Sequence, residues 1–322
     1  MTDQNKGMSD LWRRLRFVFL AIVIYRLGTH IPIPGIDPQQ LANLFDSQRG
    51  TILDMFNLFS GGALERMSIF ALNVVPYISA AIIMQLFSNS IPYLQELKKD
   101  GQAGRNQITQ YTRYGTVVLA FVQASALAVT LGAANLAYEP GASFLISAVF
   151  SVVAGTIFLM WLGEQISERG IGNGISVIIA TSILTGIPGA IGQALEQARQ
   201  GDLNILLLLG IGVLAMLVIA IVVFIERGQR RITVNYAQRQ QGRKLMQAQA
   251  SHLPFKVNMA GVIPAIFAST FLLFPASLST WFGEAESFGF LQTVSLALNP
   301  GQPLYILTFS ALIISFCFIW LA

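Results

Sequence analysis

Charge is scarce in this sequence of 322 residues: only 11% of positions are Asp, Glu, Lys or Arg, against about 25% in an ordinary soluble domain. So few charges cannot cover a water-soluble fold, and hydrophobic residues occupy 54% of the chain. Cysteine is almost absent. Cys317 stands alone in an apolar run, which excludes an internal disulfide framework. No group of His, Cys, Asp and Glu has metal-site spacing, and no nucleophile is paired with a base, so neither a cofactor nor an enzymatic role is expected. The Gly170-Ile171-Gly172-Asn173-Gly174 run follows an apolar segment, where a phosphate loop would follow a strand; it reads as a tight turn. A removable leader is not evident, because the apolar run 17–24 continues into Tyr25-Arg26-Leu27 without a small-residue cleavage site.

Long apolar runs are what the sequence does have. About 20 apolar residues cross a bilayer, and runs of that kind lie at 17–34, 68–91, 115–137, 143–163, 172–193, 204–225 and 258–281. An eighth opens near Leu304 and is still apolar at Ala322, so a span cut short is expected there. The formal charge of +4 follows topology rather than nucleic-acid binding. Of the 20 Lys and Arg residues, sixteen fall in the N-terminus and in alternate loops, three (Arg49, Arg66, Arg199) fall in the opposite loops, and Arg26 lies within the first span. That asymmetry places the N-terminus in the cytosol.

Two loops depart from simple connections. Residues 227–256 form a long basic cytosolic hairpin rich in Gln and Arg. Residues 35–67 form an external segment too apolar for a solvated loop, centred on Asn57-Leu58-Phe59-Ser60-Gly61-Gly62-Ala63-Leu64. It is too short to span, so it is either a re-entrant helix or a packed surface loop, and the former requires a protein-lined or watery cavity around it.

The spans carry few ionisable groups. Apart from Arg26 and His30 in the first, the seven complete spans contain no Asp, Glu, Lys, Arg or His. A secondary transporter for a small solute, the alternative reading, would need such groups to carry its coupling ion. Arg26 reads as an internal hydrogen-bonded or ion-paired side chain and His30 as interfacial. Pro76 and Pro264 are expected to interrupt the second and seventh spans, with small residues nearby that allow helices to approach or hinge.

Several longer strings carry a resemblance. Ile31-Pro32-Ile33-Pro34-Gly35, Phe59-Ser60-Gly61-Gly62-Ala63-Leu64, Thr109-Gln110-Tyr111-Thr112-Arg113-Tyr114-Gly115 and Gly163-Glu164-Gln165-Ile166-Ser167-Glu168-Arg169-Gly170-Ile171-Gly172-Asn173-Gly174 are similar to those of the bacterial SecY family. So are Glu226-Arg227-Gly228-Gln229-Arg230-Arg231 and Lys256-Val257-Asn258-Met259-Ala260-Gly261-Val262-Ile263-Pro264. The resemblance implies an all-α, polytopic transmembrane bundle, here about seven complete spans and part of an eighth with a short re-entrant plug helix. It further implies a first half at 1–193 and an incomplete second half at 194–322. The implied function is a channel of the bacterial inner membrane that passes unfolded polypeptides across the bilayer and releases apolar segments into lipid.

By the same resemblance, Val74, Ile78, Ile175, Ile179 and Ile266 form an aliphatic pore ring. The plug is Asn57, Leu58, Phe59, Ser60, Gly61, Gly62, Ala63, Leu64, Glu65 and Arg66, with Gly61 and Gly62 as weak points inside its helix. Ser79, Gln123 and Asn258 are polar lateral-gate positions. Arg230, Arg231, Arg239, Arg243 and Lys244 are docking residues for the SecA ATPase or the ribosome, whose RNA is a polyanion. Implied partners are SecE and SecG subunits, signal sequences, nascent polypeptides and membrane lipid.

Overall fold

The computed structural model describes residues 2–41, 57, 60–133, 136–139, 141–201, 204–234, 240–241, 244–245, 251–258, 261, 264–272 and 302–321. Helix α1 covers Thr2–Gly28. At its basic end Arg13 and Arg14 both reach Asp10, at 2.6 and 2.9 Å, and the hydrogen bond from Arg14 holds that exposed carboxyl below its ordinary pKa. The first apolar run was expected to span 17–34 with a sharp exit at the Ile31–Gly35 string, and α1 stops at Gly28. A Cβ at position 28 would meet the ring of Phe70, and Pro32 and Pro34 cannot continue a helix. The chain instead turns and runs alongside 67–69. Ile33 N–H donates to the Met67 carbonyl at 2.8 Å and Ile69 N–H to the Ile31 carbonyl at 3.1 Å.

Helix α2 covers Val75–Ser90, later than the expected start at 68, because residues 67–74 are spent on successive turns. Met67 and Asn73 are left-handed there, with φ of 42° and 48°. Pro76 therefore sits in the first turn of α2, where its missing N–H costs nothing; it opens the helix and does not interrupt it. Ile91 is extended ahead of Pro92, as the residue before proline prefers, and the short α3 (Pro92–Lys99) follows. Helices α4 (Gln102–Ala133), α5 (Ala142–Arg169), α6 (Gly174–Gln200) and α7 (Ile205–Glu226) come next. The Asn204 side chain caps α7 by accepting from Leu206 N–H at 3.1 Å. Pro264 begins the described helical stretch 264–272, and the rest of the expected seventh span lies outside the described residues. Helix α8 covers Pro303–Leu321.

Among the described residues, four helical segments are long and apolar enough to cross a membrane: Gln102–Gly132, Ala142–Arg169, Gly174–Gln200 and Leu206–Glu226; Val75–Ser88 and Pro303–Ile319 are apolar but shorter. The basic hairpin adds short strands that no alternating apolar face announces. Strand β1 (Gln229–Val234) pairs antiparallel with β4 (Ser251–Lys256), from Gln229 opposite Lys256 to Val234 opposite Ser251, while β2 (Gln240–Gln241) pairs with β3 (Lys244–Leu245).

The chain divides into two packing units, Met1–Ala190 with Phe267–Ser310 and Ile191–Ile266 with Ala311–Ala322. The core of the first unit joins α4 to α5 through Ala120, Ala124, Ala128, Ala148 and Val152, with Ile33, Leu64, Met67 and Ala71 packed onto the same cluster. Alanines four apart on α4 share one face, and small residues let helices approach closely in a membrane. That core fixes the segment 60–74 against the bundle.

Candidate functional site

The described part of the segment expected to be a plug is Asn57 and Ser60 through Arg66. Gly61 and Gly62 are not helix-interior residues, as had been expected. Both lie in turns with φ of 66° and 77°, a backbone region open to glycine at little cost, so they end the helical turn and do not weaken one. Asn57 organises the segment from its start. Its carbonyl accepts from Gly62 N–H at 3.0 Å, its side-chain Oδ1 accepts from Glu65 N–H at 3.1 Å, and its Nδ2 donates to Glu65 Oε2 at 3.0 Å. Ser60 Oγ accepts from Leu64 N–H at 3.1 Å. Ala63 and Leu64 are buried, whereas Glu65 and Arg66 are exposed. Leu58 and Phe59 lie outside the described residues.

Side chains from α1 and α6 grip this segment. Arg26 Nη1 donates to the Gly61 carbonyl at 3.2 Å, which gives the expected internal arginine a partner on the backbone of this segment. Tyr25 Oη lies 3.2 Å from the Ser60 carbonyl and 2.6 Å from Ser182 Oγ, and Asn73 Nδ2 donates to that same Ser182 Oγ at 3.0 Å. A Cβ at Gly61 would stand 3.0 Å from Thr185 Oγ1 and 3.1 Å from Ser182 Cα, so the backbone at Gly61 lies directly on α6. His30 contacts the Arg26 carbonyl at 2.9 Å and Arg66 Nη1 at 3.4 Å. Reading the sequence singled out neither Tyr25, Asn73, Ser182 nor Thr185. Hydroxyls inside apolar runs usually bond back to their own helix, and nothing local distinguishes these.

Four of the five ring positions lie in the first unit. Val74, Ile78 and Ile179 are buried, at 2%, 8% and 7% exposure, and Ile78 N–H donates to the Val74 carbonyl at 3.0 Å. Ile175 is half-buried, with its side chain against Gly163 of α5. Gly174 is equally constrained, since a Cβ there would collide with the Gly163 carbonyl. The turn 170–173 works as the sequence suggested: Gly172 has φ of 74°, Asn173 Oδ1 accepts from Ile175 N–H at 3.0 Å, and Ser167 Oγ accepts from Gly174 N–H at 2.8 Å. Ile266 is half-buried and belongs to the second unit.

Of the gate positions, Ser79 on α2 and Gln123 on α4 are half-buried in the first unit. Gln123 Oε1 has no hydrogen-bond partner among the described residues. Asn258 lies in the second unit, where its Nδ2 donates to Glu226 Oε2 at 3.1 Å and its Oδ1 accepts from Gly261 N–H at 3.1 Å, bridging the end of α7 to the exit of β4. Arg230 and Arg231 are exposed on β1, opposite Phe255 and Pro254, and Lys244 lies on β3. Arg239 and Arg243 lie outside the described residues. The structure also joins two of the sequence strings directly, because Arg113 Nε of α4 donates to Glu164 Oε1 of α5 at 2.7 Å.

Comparisons with known proteins agree on one family. The family model described as SecY matches residues 68–322. Protein translocase subunit SecY of Pseudomonas aeruginosa is 63% identical over 318 residues, 99% of this chain and 72% of that protein. The Escherichia coli (strain K12) protein of the same name is 58% identical over 320 residues, 98% and 72% respectively. Among solved structures, a SecY whose plug domain is described as stabilising the closed state of the translocation channel and maintaining a membrane seal superposes with a TM-score of 0.58 at 21% identity, covering 84% of this chain and 58% of that one. Sec61 in a canine ribosome-channel complex from the endoplasmic reticulum superposes with a TM-score of 0.58 at 19% identity, covering 84% and 59%. This chain thus spans under two thirds of the solved channel chains, and their likeness establishes the polytopic channel fold alone. With the family model matched over most of the sequence and relatives near 60% identical along nearly all of it, the chain belongs to the SecY family.

Proposed function

We infer that this chain is the channel subunit of a protein translocase, passing unfolded secretory polypeptides across the membrane and releasing apolar segments sideways into lipid. The observation that carries this reading is the 63% identity to a protein translocase subunit over 99% of the chain. The plug segment gripped by α1 and α6 gives it a physical form. Val74, Ile78, Ile175, Ile179 and Ile266 serve as an aliphatic constriction that excludes ions by dewetting. Ser79, Gln123 and Asn258 serve as polar positions of a lateral gate, where hydrogen bonds worth about 0.5–2 kcal/mol can be broken by an entering signal sequence. The two halves meet near 193–194.

The energy for export comes from a partner on the cytosolic side, either the SecA ATPase or the ribosome. Exposed Arg230 and Arg231 on the β1–β4 ladder, together with Arg239, Arg243 and Lys244, are suited to such a partner, and to polyanionic RNA in particular. SecE and SecG complete the complex. The excess of basic residues in the N-terminus and alternate loops supports a cytosolic N-terminus in the bacterial inner membrane. The role is that of a channel, with no chemistry of its own.

The closeness of Gly61 to Thr185 offers a direct test. In the full chain with its partner subunits, a Gly61→Cys/Thr185→Cys pair should oxidise to a disulfide that blocks export, and reductant should restore it. Export proceeding normally through the oxidised pair would overturn the assignment of 57–66 as a displaceable plug.

A further inference from the structure

We propose that Tyr25, Asn73 and Ser182 form a hydroxyl latch that holds the plug by the Ser60 carbonyl and can release it without leaving a donor unpaired. The inference rests on the reading of 57–66 as a plug. All four residues belong to the first packing unit, and all are almost fully buried: Tyr25 is 1% exposed, Ser182 0%, Asn73 2% and Ser60 2%. A buried polar cluster must satisfy its members internally, so the positions of its few protons decide what it holds.

The hydroxyls offer fewer protons than there are acceptors within reach. Tyr25 and Ser182 each have one O–H to give. At least three acceptors compete for these two protons: the Ser60 carbonyl 3.2 Å from Tyr25 Oη, the Ile178 carbonyl 2.9 Å from Ser182 Oγ, and the facing hydroxyl oxygen at 2.6 Å; the Asn73 side chain also hydrogen-bonds Tyr25. Two arrangements follow. In one, Ser182 donates to Tyr25 and Tyr25 donates to the Ser60 carbonyl, so the plug is held. In the other, Tyr25 donates to Ser182 and Ser182 donates back to the Ile178 carbonyl, so the plug carbonyl is let go. Asn73 Nδ2 donates to Ser182 Oγ in both.

Switching between these arrangements needs only rotation of two hydroxyls. In the released arrangement Ser182 Oγ accepts twice and donates once, which saturates it, and neither hydroxyl is orphaned. The one group needing a new partner is the Ser60 carbonyl, which moves with the plug. A latch of this kind biases the plug toward closure yet opposes its departure with a single weak bond. Its position links it to the constriction. Asn73 immediately precedes Val74, and the carbonyl that competes for the Ser182 proton belongs to Ile178, next to Ile179 on α6. Asn73 is held in a left-handed conformation, a strained choice for a residue with a side chain, and it places the amide against Ser182. The Tyr25 ring stacks on Phe70 at 6.1 Å, which keeps its hydroxyl aimed inward.

The two arrangements predict opposite signs for two small substitutions. In planar bilayers, with the full chain and its partner subunits, Tyr25→Phe keeps the ring and removes the donor to the plug. Resting ion conductance should rise roughly 3- to 10-fold, as expected for loss of one net hydrogen bond. Ser182→Ala leaves Tyr25 with the Ser60 carbonyl as its acceptor, so conductance should stay at or below that of the unmutated channel. The Tyr25→Phe/Ser182→Ala double variant should leak as Tyr25→Phe does. Unchanged conductance in Tyr25→Phe, or equal leak from both single variants, would overturn the latch, because equal leak is what a merely packed cluster gives. Adding the oxidised Gly61→Cys/Thr185→Cys lock to Tyr25→Phe should suppress the leak. A leak that persists under the lock would overturn the plug reading itself, and the latch with it.

Discussion

Helices α5 and α7 are both long enough to cross a bilayer, yet they meet opposite surroundings. In α5, 44% of the most apolar window is buried inside the structure; in α7 the figure is 0%. Among the described residues, the more uniformly aliphatic helix is the one without protein cover. Helix α7 runs Ile-Leu-Leu-Leu-Leu-Gly-Ile-Gly-Val-Leu-Ala-Met-Leu-Val-Ile-Ala-Ile-Val-Val-Phe-Ile-Glu, with nothing polar before Glu226. Helix α5 carries Gly155, Thr156, Gly163 and Glu164 among its apolar residues, and three of these four are fully buried. In a membrane the outer solvent is itself apolar, so burial against protein selects for small and polar residues rather than for grease. Composition around a spanning helix thus reports which side lipid touches.

The largest effect that would sharpen this contrast is on the interior helix. A Cβ at Gly155 would drive into the Ile69 carbonyl, and backbone cannot yield as a flexible side chain does. Gly155→Leu should therefore cost about 3 kcal/mol or more, seen as loss of the folded protein from detergent extracts on mild heating. A Leu at that site that left thermal stability unchanged would contradict the close approach of α5 to the segment 67–71.

On α7, size should matter little and charge a great deal. Leu214→Arg, near the middle of α7, should cost roughly 3–4 kcal/mol of insertion free energy, whereas Leu214→Ile should change it by no more than about 0.3 kcal/mol. A glycosylation-mapping assay of membrane insertion measures both. An arginine inserted without penalty would mean that α7 faces protein or water rather than lipid.

The smallest effect concerns the C-terminal end of α5. The Arg113–Glu164 pair is partly exposed, at 45% and 20% for the two side chains, so Glu164→Gln should cost under about 1 kcal/mol. The loss should shrink further in high salt, where partly exposed pairs are screened. Thermal unfolding at low and high ionic strength would show it, and a larger, salt-independent loss would mark the pair as part of a buried network instead.

Much of the membrane architecture was visible in the order of residues, because a lack of charge over about 20 positions admits few outcomes. The turn at 170–174 was legible for a similar reason, since three glycines in five residues forbid a continuous helix. The helix starts were less so. Pro76 looked like a break within a span, but Val75–Ser90 begins beside it, and only the turns folded over 67–74 decide that. The β1–β4 ladder was unreadable because Arg230 and Arg231 give no apolar alternation. The grip on Ser60 and Gly61 was invisible as well. Tyr25 and Ser182 are separated by 157 positions, and each sits in an apolar run where a hydroxyl ordinarily bonds to its own helix.

By itself the sequence determined that this chain is a multi-pass membrane protein and which family it joins, since these depend on local composition and on strings of adjacent residues. Tertiary structure alone decided where the helices begin, which hydroxyls meet, and what holds Ser60 and Gly61 in place. Those outcomes depend on contacts between segments far apart in the chain, and a hydrogen bond has no signature until both partners have been brought within about 3 Å.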